Sequence, residues 1–177
     1  MLGQHKRNFD LAPYQGEWID HFNQEAILLR TTLGENALQI EHVGSTSIPG
    51  MAAKSIIDIM VAVTPLTRSS ELILGLDSIG YSYRPFDIIP ERMFFAKENS
   101  PEFRTHHLNL TEPDSLFWKN QLLFSDNLRE NNQLASEYVQ LKKRFVDYYA
   151  RTKHVDVEWK SAFVAKVLEL AKDEKKR

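Results

Sequence analysis

Glu41-His42-Val43-Gly44-Ser45-Thr46-Ser47-Ile48-Pro49-Gly50-Met51-Ala52-Ala53-Lys54-Ser55-Ile56-Ile57-Asp58-Ile59-Met60-Val61 is the stretch that decides how the chain is read. Two apolar runs of β type flank a loop of glycine, serine, threonine, proline and lysine. Side chains alternate between the two faces of a strand. Ile57, Ile59 and Val61 therefore share one face, and Ile56, Asp58 and Met60 share the other. A carboxylate among isoleucines is unfavourable unless something pairs with it. The small hydroxyl residues and glycines before it let an anion approach the backbone closely. The first face is expected to be core, and the Asp58 face is expected to meet a ligand.

Working outward, the apolar spacing of Trp18, Phe22, Ala26, Leu29 and Leu33 predicts a helix over 17–33, closed by Gly34. Strands are predicted over 37–43 and from Lys54 or Ser55 to Val63. A short helix over 69–78 and a short strand over 81–84 follow. Arg92–Lys97 and Phe103–Leu110 read as two strands joined by Glu98-Asn99-Ser100-Pro101-Glu102. Three helices follow, over about 114–129, 134–149 and 157–171. Residues 1–16 read as an N-terminal arm with Phe9, Leu11 and Tyr14 packed on an edge. Residues 172–177 read as a frayed, solvated tail. The expectation is one α+β domain over 1–177: a mixed sheet of about five strands, flanking helices, and a helical C-terminal half over 113–177.

The composition narrows the chemistry. The chain of 177 residues has 22 Lys+Arg against 24 Asp+Glu and no cysteine. That excludes disulfides, thiolate metal sites and a cysteine nucleophile, and does not suggest a general nucleic-acid binder. No apolar run is long enough to span a bilayer, and the N-terminus lacks the apolar segment of a secretory signal, so a cytoplasmic protein is expected.

On the strand Phe103–Leu110, Thr105, His107 and Asn109 alternate with His106, Leu108 and Leu110. The apolar set should be core, which places His107 and Asn109 on the side of Asp58. A one-residue slip would exchange His106 and His107. Asp58 is a hard oxygen ligand for a divalent cation, and His107 and Asn109 add polar groups. Ser45, Thr46 and Ser47 offer hydrogen-bond donors to phosphate, and Lys54, Arg92 and Arg104 offer positive charge. Such a set suits Mg²⁺-assisted handling of a nucleoside triphosphate. Each part has a plainer structural reading: a tight Gly-Ser turn, an aspartate holding a loop, a packed histidine, ordinary surface cations. No Walker loop and no H-E-x-x-H spacing is present.

His42–Lys54 followed by Ile56-Ile57-Asp58-Ile59 resembles the signature of the GrpB family of small proteins. Trp18, Gly80-Tyr81, Arg92-Met93-Phe94-Phe95, Arg104-Thr105-His106-His107-Leu108, Tyr138–Lys142 and Lys160–Phe163 are similar to further family segments in the same order. The resemblance implies a fold of the polymerase-β nucleotidyltransferase superfamily, with the Gly44-Ser45 turn on the triphosphate and Asp58 as first metal-binding acid. It places Met60 at the second acid position, and His107 or Asn109 at the third, where the family usually has a second histidine in place of Asn109. Methionine does not replace a hard oxygen ligand, so Glu41, Asp87 or Glu91 would have to substitute.

Two functions follow from the resemblance. One is a nucleotidyltransferase-like protein that binds a nucleoside triphosphate or other phosphate ligand with Mg²⁺ or Mn²⁺ and passes a nucleoside monophosphate to an acceptor. There Asp58 and His107 are catalytic, Asp58, His107 and Asn109 bind metal, and Arg92, Arg104 and Lys160 contact phosphate or acceptor. The other is a non-catalytic nucleotide- or phosphate-binding module related to the domain fused to dephospho-CoA kinase. A metal-dependent hydrolase built on Asp58 and His107 is a third reading.

Overall fold

The computed structural model describes residues 2–5, 7–87, 89–155 and 158–174. Its centre is β3 (Ile57–Ala62), inserted between β2 (Gln39–Val43) and β6 (Phe103–Thr111). β2 runs antiparallel to β3, whereas β6 runs parallel to it. β5 (Arg92–Ser100) and β4 (Tyr81–Tyr83) extend the sheet antiparallel, in the order β2-β3-β6-β5-β4. A sixth strand, β1 (Gln4–His5), pairs with the start of β6 at Arg104 and Phe103. The pattern did not reveal it because two residues carry no alternation. The rest of the arm is tied down by the Ala12–Ala53 bridge and by Phe9, which packs edge-on to Phe145.

The Ile57, Ile59 and Val61 face is core, as expected. It packs with Leu108 and Leu110 of β6 under Trp18, Leu29 and Leu33 of α1 (Glu17–Leu33) and Leu76 of α2 (Ile73–Ser78). The segment 66–72 before α2 is 3-10 helix, so the expected helix over 69–78 is regular only in its second half.

The other face of the sheet meets α3 (Leu116–Glu130), α4 (Asn132–Thr152) and α5 (Glu158–Glu174). Ser115 caps α3 by accepting from the Trp118 amide, and Asn131 caps α4 by accepting from the Gln133 and Leu134 amides. The three helices form a cluster of their own around Phe124, Leu128, Tyr138, Phe163 and Val167, into which the loop residues Ile48 and Met51 insert. Lys172–Glu174 continue α5 and are not the frayed tail expected from the charge run. Residues 175–177 of that tail, and Val157 at the expected start of α5, lie outside the described residues, as does Ile88 of the predicted loop over 85–90. No helix among the described residues is long and apolar enough to cross a membrane.

Trp118, on α3, presses on Met60, Ala62 and Val43. The Asp58 face is therefore sealed from Met60 onward. It is open only at its N-terminal end, beside the Gly44-Ser45 turn.

Candidate functional site

Register brings the expected residues together. Asp58 lies opposite Val43 on β2 and His107 on β6, and Asn109 lies opposite Phe94 on β5. His107 Nδ1 and Asp58 Oδ1 are 3.0 Å apart. Asp58 keeps 36% of its side chain exposed. Burial pushes its carboxyl pKa up, but the hydrogen bond to His107 and the positive charge of His107 and Lys160 outweigh that and hold it below the ordinary value. His106 points the other way, into the core near Glu25 and Tyr81, and burial lowers its pKa to about 4.

The turn above Asp58 is shaped by Gly44, whose φ of 71° and ψ of −170° no side chain favours. Ser45–Ser47 then form a single 3-10 turn. The three hydroxyls have different fates. Thr46 is buried, and its hydroxyl is 3.0 Å from His42 Nε2. Ser47 donates to the Gly44 carbonyl and accepts from Arg129, which also donates to the His42 carbonyl and thereby clamps both ends of the turn. Only Ser45 turns its hydroxyl to the cleft, where Lys142 Nζ donates to it at 3.1 Å.

Between the turn, the sheet and α3–α5 lies a cleft of two lobes that share Ser45, Asp58, His107, Tyr138 and Lys160. The first, of about 320 Å³, is lined by Arg92, Asn109, Asn120 and Gln121 with Phe94 and Phe117 among others. The second, of about 290 Å³, is lined by Lys54 and Lys142 with Phe9, Phe145 and Trp159. Of the expected cations, Lys54, Arg92 and Lys160 line the cleft. Arg104 does not: its Nε lies 3.5 Å from Glu98, at the opposite end of β6 from Asn109. Thr46 and Ser47 hold the turn together with their hydroxyls, which are not directed at a ligand.

Sequence reading missed Lys142 and Tyr138. Both stand on the apolar stripe of α4 with Leu134 and Phe145. A lysine one turn after a buried tyrosine, on a helix face that is otherwise apolar, was the available signal. Lys142 is 8% exposed and also donates to the Ala52 carbonyl at 2.6 Å. Burial, reinforced by Lys160 and opposed by Asp58, brings its pKa down to about 7. Burial and Lys160 bring Lys54 to about 8. An unfolded lysine holds its proton up to about 10.4. Between pH 7 and that value the unfolded chain binds more protons at Lys142 than the folded one, so this group makes stability rise with pH, and its destabilisation is complete below pH 7. Urea unfolding from pH 6.5 to 10 is expected to show the parent gaining stability on Lys142→Met by on the order of a few kcal/mol. Parallel pH curves for the two proteins would contradict this.

The acidic side of the site is thin. Met60 is fully buried against Trp118. None of its expected substitutes lines the cleft. Asp87 pairs with Arg92, Glu91 accepts from the Phe117 amide, and Glu41 lies across from Met60 near Arg129. Among the described residues no group of three or more His, Asp or Glu could hold a metal ion. Asn109 Oδ1 is occupied by Arg92 Nη1 at 2.7 Å, so the expected ligand set Asp58, His107 and Asn109 loses its third member. The residues present do not fit a pair of divalent ions, which needs several carboxylates. They fit one ion, held by Asp58 and completed by water and a ligand's own phosphate oxygens, as Mg²⁺ often is.

Comparison with known proteins agrees with this architecture. The sequence profile of the GrpB protein family matches residues 8–170. UPF0157 protein YqkA of Bacillus subtilis is 32% identical over 171 residues, which is 97% of this chain but 49% of that protein, so the chain spans about half its length. A dephospho-CoA kinase of Mycolicibacterium paratuberculosis is 39% identical over 74 residues, 40% of this chain and 18% of that protein. The crystal structure of conserved protein GrpB from Enterococcus faecalis superposes with a TM-score of 0.83 at 33% identity, covering 95% of this chain and all of that one. Cid1 in complex with the UTP analog UMPNPP gives a TM-score of 0.51 at 16% identity, over 76% of this chain and 42% of that one, a likeness of fold.

Proposed function

The chain belongs to the GrpB family, and from that premise we propose that it binds a nucleoside triphosphate or a related phosphate ligand at the junction of the two lobes, without the two-ion chemistry of nucleotidyl transfer. The observation that carries this is the imbalance of charge in the cleft: Lys142 donates to Ser45, Lys54 and Lys160 line the same lobe, and among the described residues Asp58 is the only carboxylate in the lining. Lys142 and Lys54, whose proton affinity is lowered by burial and by Lys160, bind protons more tightly when an anion arrives. The phosphates would lie on the Ser45 hydroxyl and the lysines. A divalent ion arriving with a triphosphate would be held by Asp58, where it would offset phosphate charge. His107 orients that carboxylate through its Nδ1 contact. The Cid1 complex with a UTP analog and the dephospho-CoA kinase relative support a ligand of nucleotide type.

Calorimetry with ATP, UTP and tripolyphosphate, each with and without Mg²⁺ or Mn²⁺, tests the reading. Binding is expected in all three cases, with protons taken up at pH 8, seen as a heat that depends on the buffer's ionisation enthalpy. Asp58→Asn should strengthen metal-free binding by about fivefold or more and abolish the effect of Mg²⁺. A like charge a few ångströms from a phosphate is worth on the order of 1–4 kcal/mol at surface-like dielectric. No binding by any triphosphate, or binding unchanged by both Asp58→Asn and Lys160→Met, would overturn the proposal. Pyrophosphate release in the presence of any acceptor would favour transfer instead.

A further inference from the structure

The two lobes differ in chemistry, and the difference names a second ligand. In the lobe beside Arg92 both terminal nitrogens of the guanidinium are engaged, and its Nε is buried without a partner among the described residues. The guanidinium pairs with Asp87, donates to Asn109, and lies 4.8 Å from the Phe94 ring centroid and 5.7 Å from that of Phe117. Its side chain is 6% exposed. A polyanion entering this lobe would find Asp58 at the back, an Arg92 already paired with Asp87, and, among the described residues, Lys160 as the one further Lys or Arg, which the lobes share. What the lobe does offer is side-chain amides. Asn120 and Gln121 project from adjacent positions of α3, whereas Asn109 on β6 is engaged by Arg92 and by the Ile59 carbonyl. An amide presents donors and acceptors side by side, and a hydroxyl group is both at once. Phe94 and Phe117 add apolar surface suited to C–H groups.

We infer that this lobe binds an uncharged polyhydroxyl compound of monosaccharide size, held by Asn120 and Gln121, with one hydroxyl directed at Asp58. The inference rests on the phosphate reading above, because it makes this molecule the neighbour of the bound anion. A volume of about 320 Å³ suits a ligand of that size and is at the small end for binding sites. Because the lobes meet at Ser45 and Asp58, the two ligands would lie side by side, so neither would displace the other.

Saturation-transfer NMR on the full chain, with myo-inositol as probe and cyclohexanecarboxylate and inositol 1-phosphate as comparisons, tests this. The ring C–H signals of myo-inositol are expected to receive magnetisation, with tripolyphosphate present or absent. The transfer should fall at least fivefold in the double variant Asn120→Leu, Gln121→Leu. Both residues are only half-buried, so this variant should keep the parent's unfolding midpoint. Lys142→Met should keep the inositol signal while weakening tripolyphosphate. Three results would overturn the inference: stronger transfer to cyclohexanecarboxylate than to inositol, a signal indifferent to the double variant, or displacement of inositol by tripolyphosphate. Absence of tripolyphosphate binding with the inositol transfer intact would instead count against the phosphate site alone.

Discussion

Met60→Asp is expected to destabilise the protein strongly at neutral pH and not to complete a metal-binding pair. By sequence spacing Met60 sits where a second carboxylate would stand, two residues after Asp58 on the same face. By packing it is fully buried, in a cluster with Val43, Ala62 and Trp118. A carboxylate there would lie in apolar surroundings directly across from Glu41 on β2. An uncompensated buried charge destabilises by about 3–5 kcal/mol, against a total stability of about 5–15 kcal/mol for an ordinary domain. The new group would keep its proton to a higher pH in the folded state than in the unfolded chain. Its destabilisation is therefore absent below the unfolded carboxyl pKa of about 4 and grows as pH rises toward the folded value. Urea unfolding should show a larger gap between variant and parent at pH 8 than at pH 5. Met60→Leu, which keeps the volume, should lose less than about 1.5 kcal/mol. If Met60→Asp kept the parent's unfolding midpoint and released pyrophosphate from a triphosphate with Mg²⁺, Trp118 would have to be a movable cover, and the site a transferase lacking one residue.

That contrast marks the limit of what the sequence conveyed. Period-two alternation was enough to separate Ile57, Ile59 and Val61 from Asp58, and to place His107 and Asn109 beside it. Those are properties of a strand and its register, and β3 and β6 obey them residue by residue. Alternation cannot say what covers a face. Nothing in Met60 announces Trp118, which reaches it from 58 positions away in the chain through the packing of α3. Lys142 was hidden for the same reason. Its partners Ser45 and Ala52 lie in a distant loop, and the apolar stripe of its own helix signals burial without saying against what. Thr46, Ser47 and Arg104 show the opposite limit. Their chemistry suited phosphate, but His42, Arg129 and Glu98 engage them first. A list of suitable residue types overstates a site until each group's nearest partner is known. The fold was legible because it depends on local patterns repeated along the chain. The site was half legible because it depends on single contacts across it.

Gly44→Ala is expected to disable ligand binding and to destabilise the protein, although it adds one methyl group. Two separate causes act. Gly44 has φ 71° and ψ −170°, a conformation essentially confined to glycine, and holding another residue there costs on the order of 1–3 kcal/mol. The added Cβ would also stand 2.6 Å from Asp58 Oδ2 and 3.2 Å from Asp58 Cβ. A contact of 2.6 Å cannot persist. Either Asp58 rotates, giving up the 3.0 Å contact with His107, or the turn lifts and moves the Ser45 hydroxyl away from Lys142. Each outcome breaks one side of the proposed phosphate site, so triphosphate affinity should fall at least tenfold while the fold itself survives. Gly75→Ala is the comparison. Gly75 is in α2, and its added Cβ would meet only Thr32 Cγ2 at 3.4 Å, so helix propensity should make that change neutral or stabilising by up to about 1 kcal/mol. A double-mutant cycle separates the two causes. In an Asp58→Ala background the clash with Oδ2 disappears but the backbone strain stays, so Gly44→Ala should destabilise less there, by 0.5 kcal/mol or more, which is the size of coupling expected between residues in contact. Additive losses would assign the whole effect to the backbone. Unchanged triphosphate affinity in Gly44→Ala would show that the close approach of the turn to Asp58 has no part in binding.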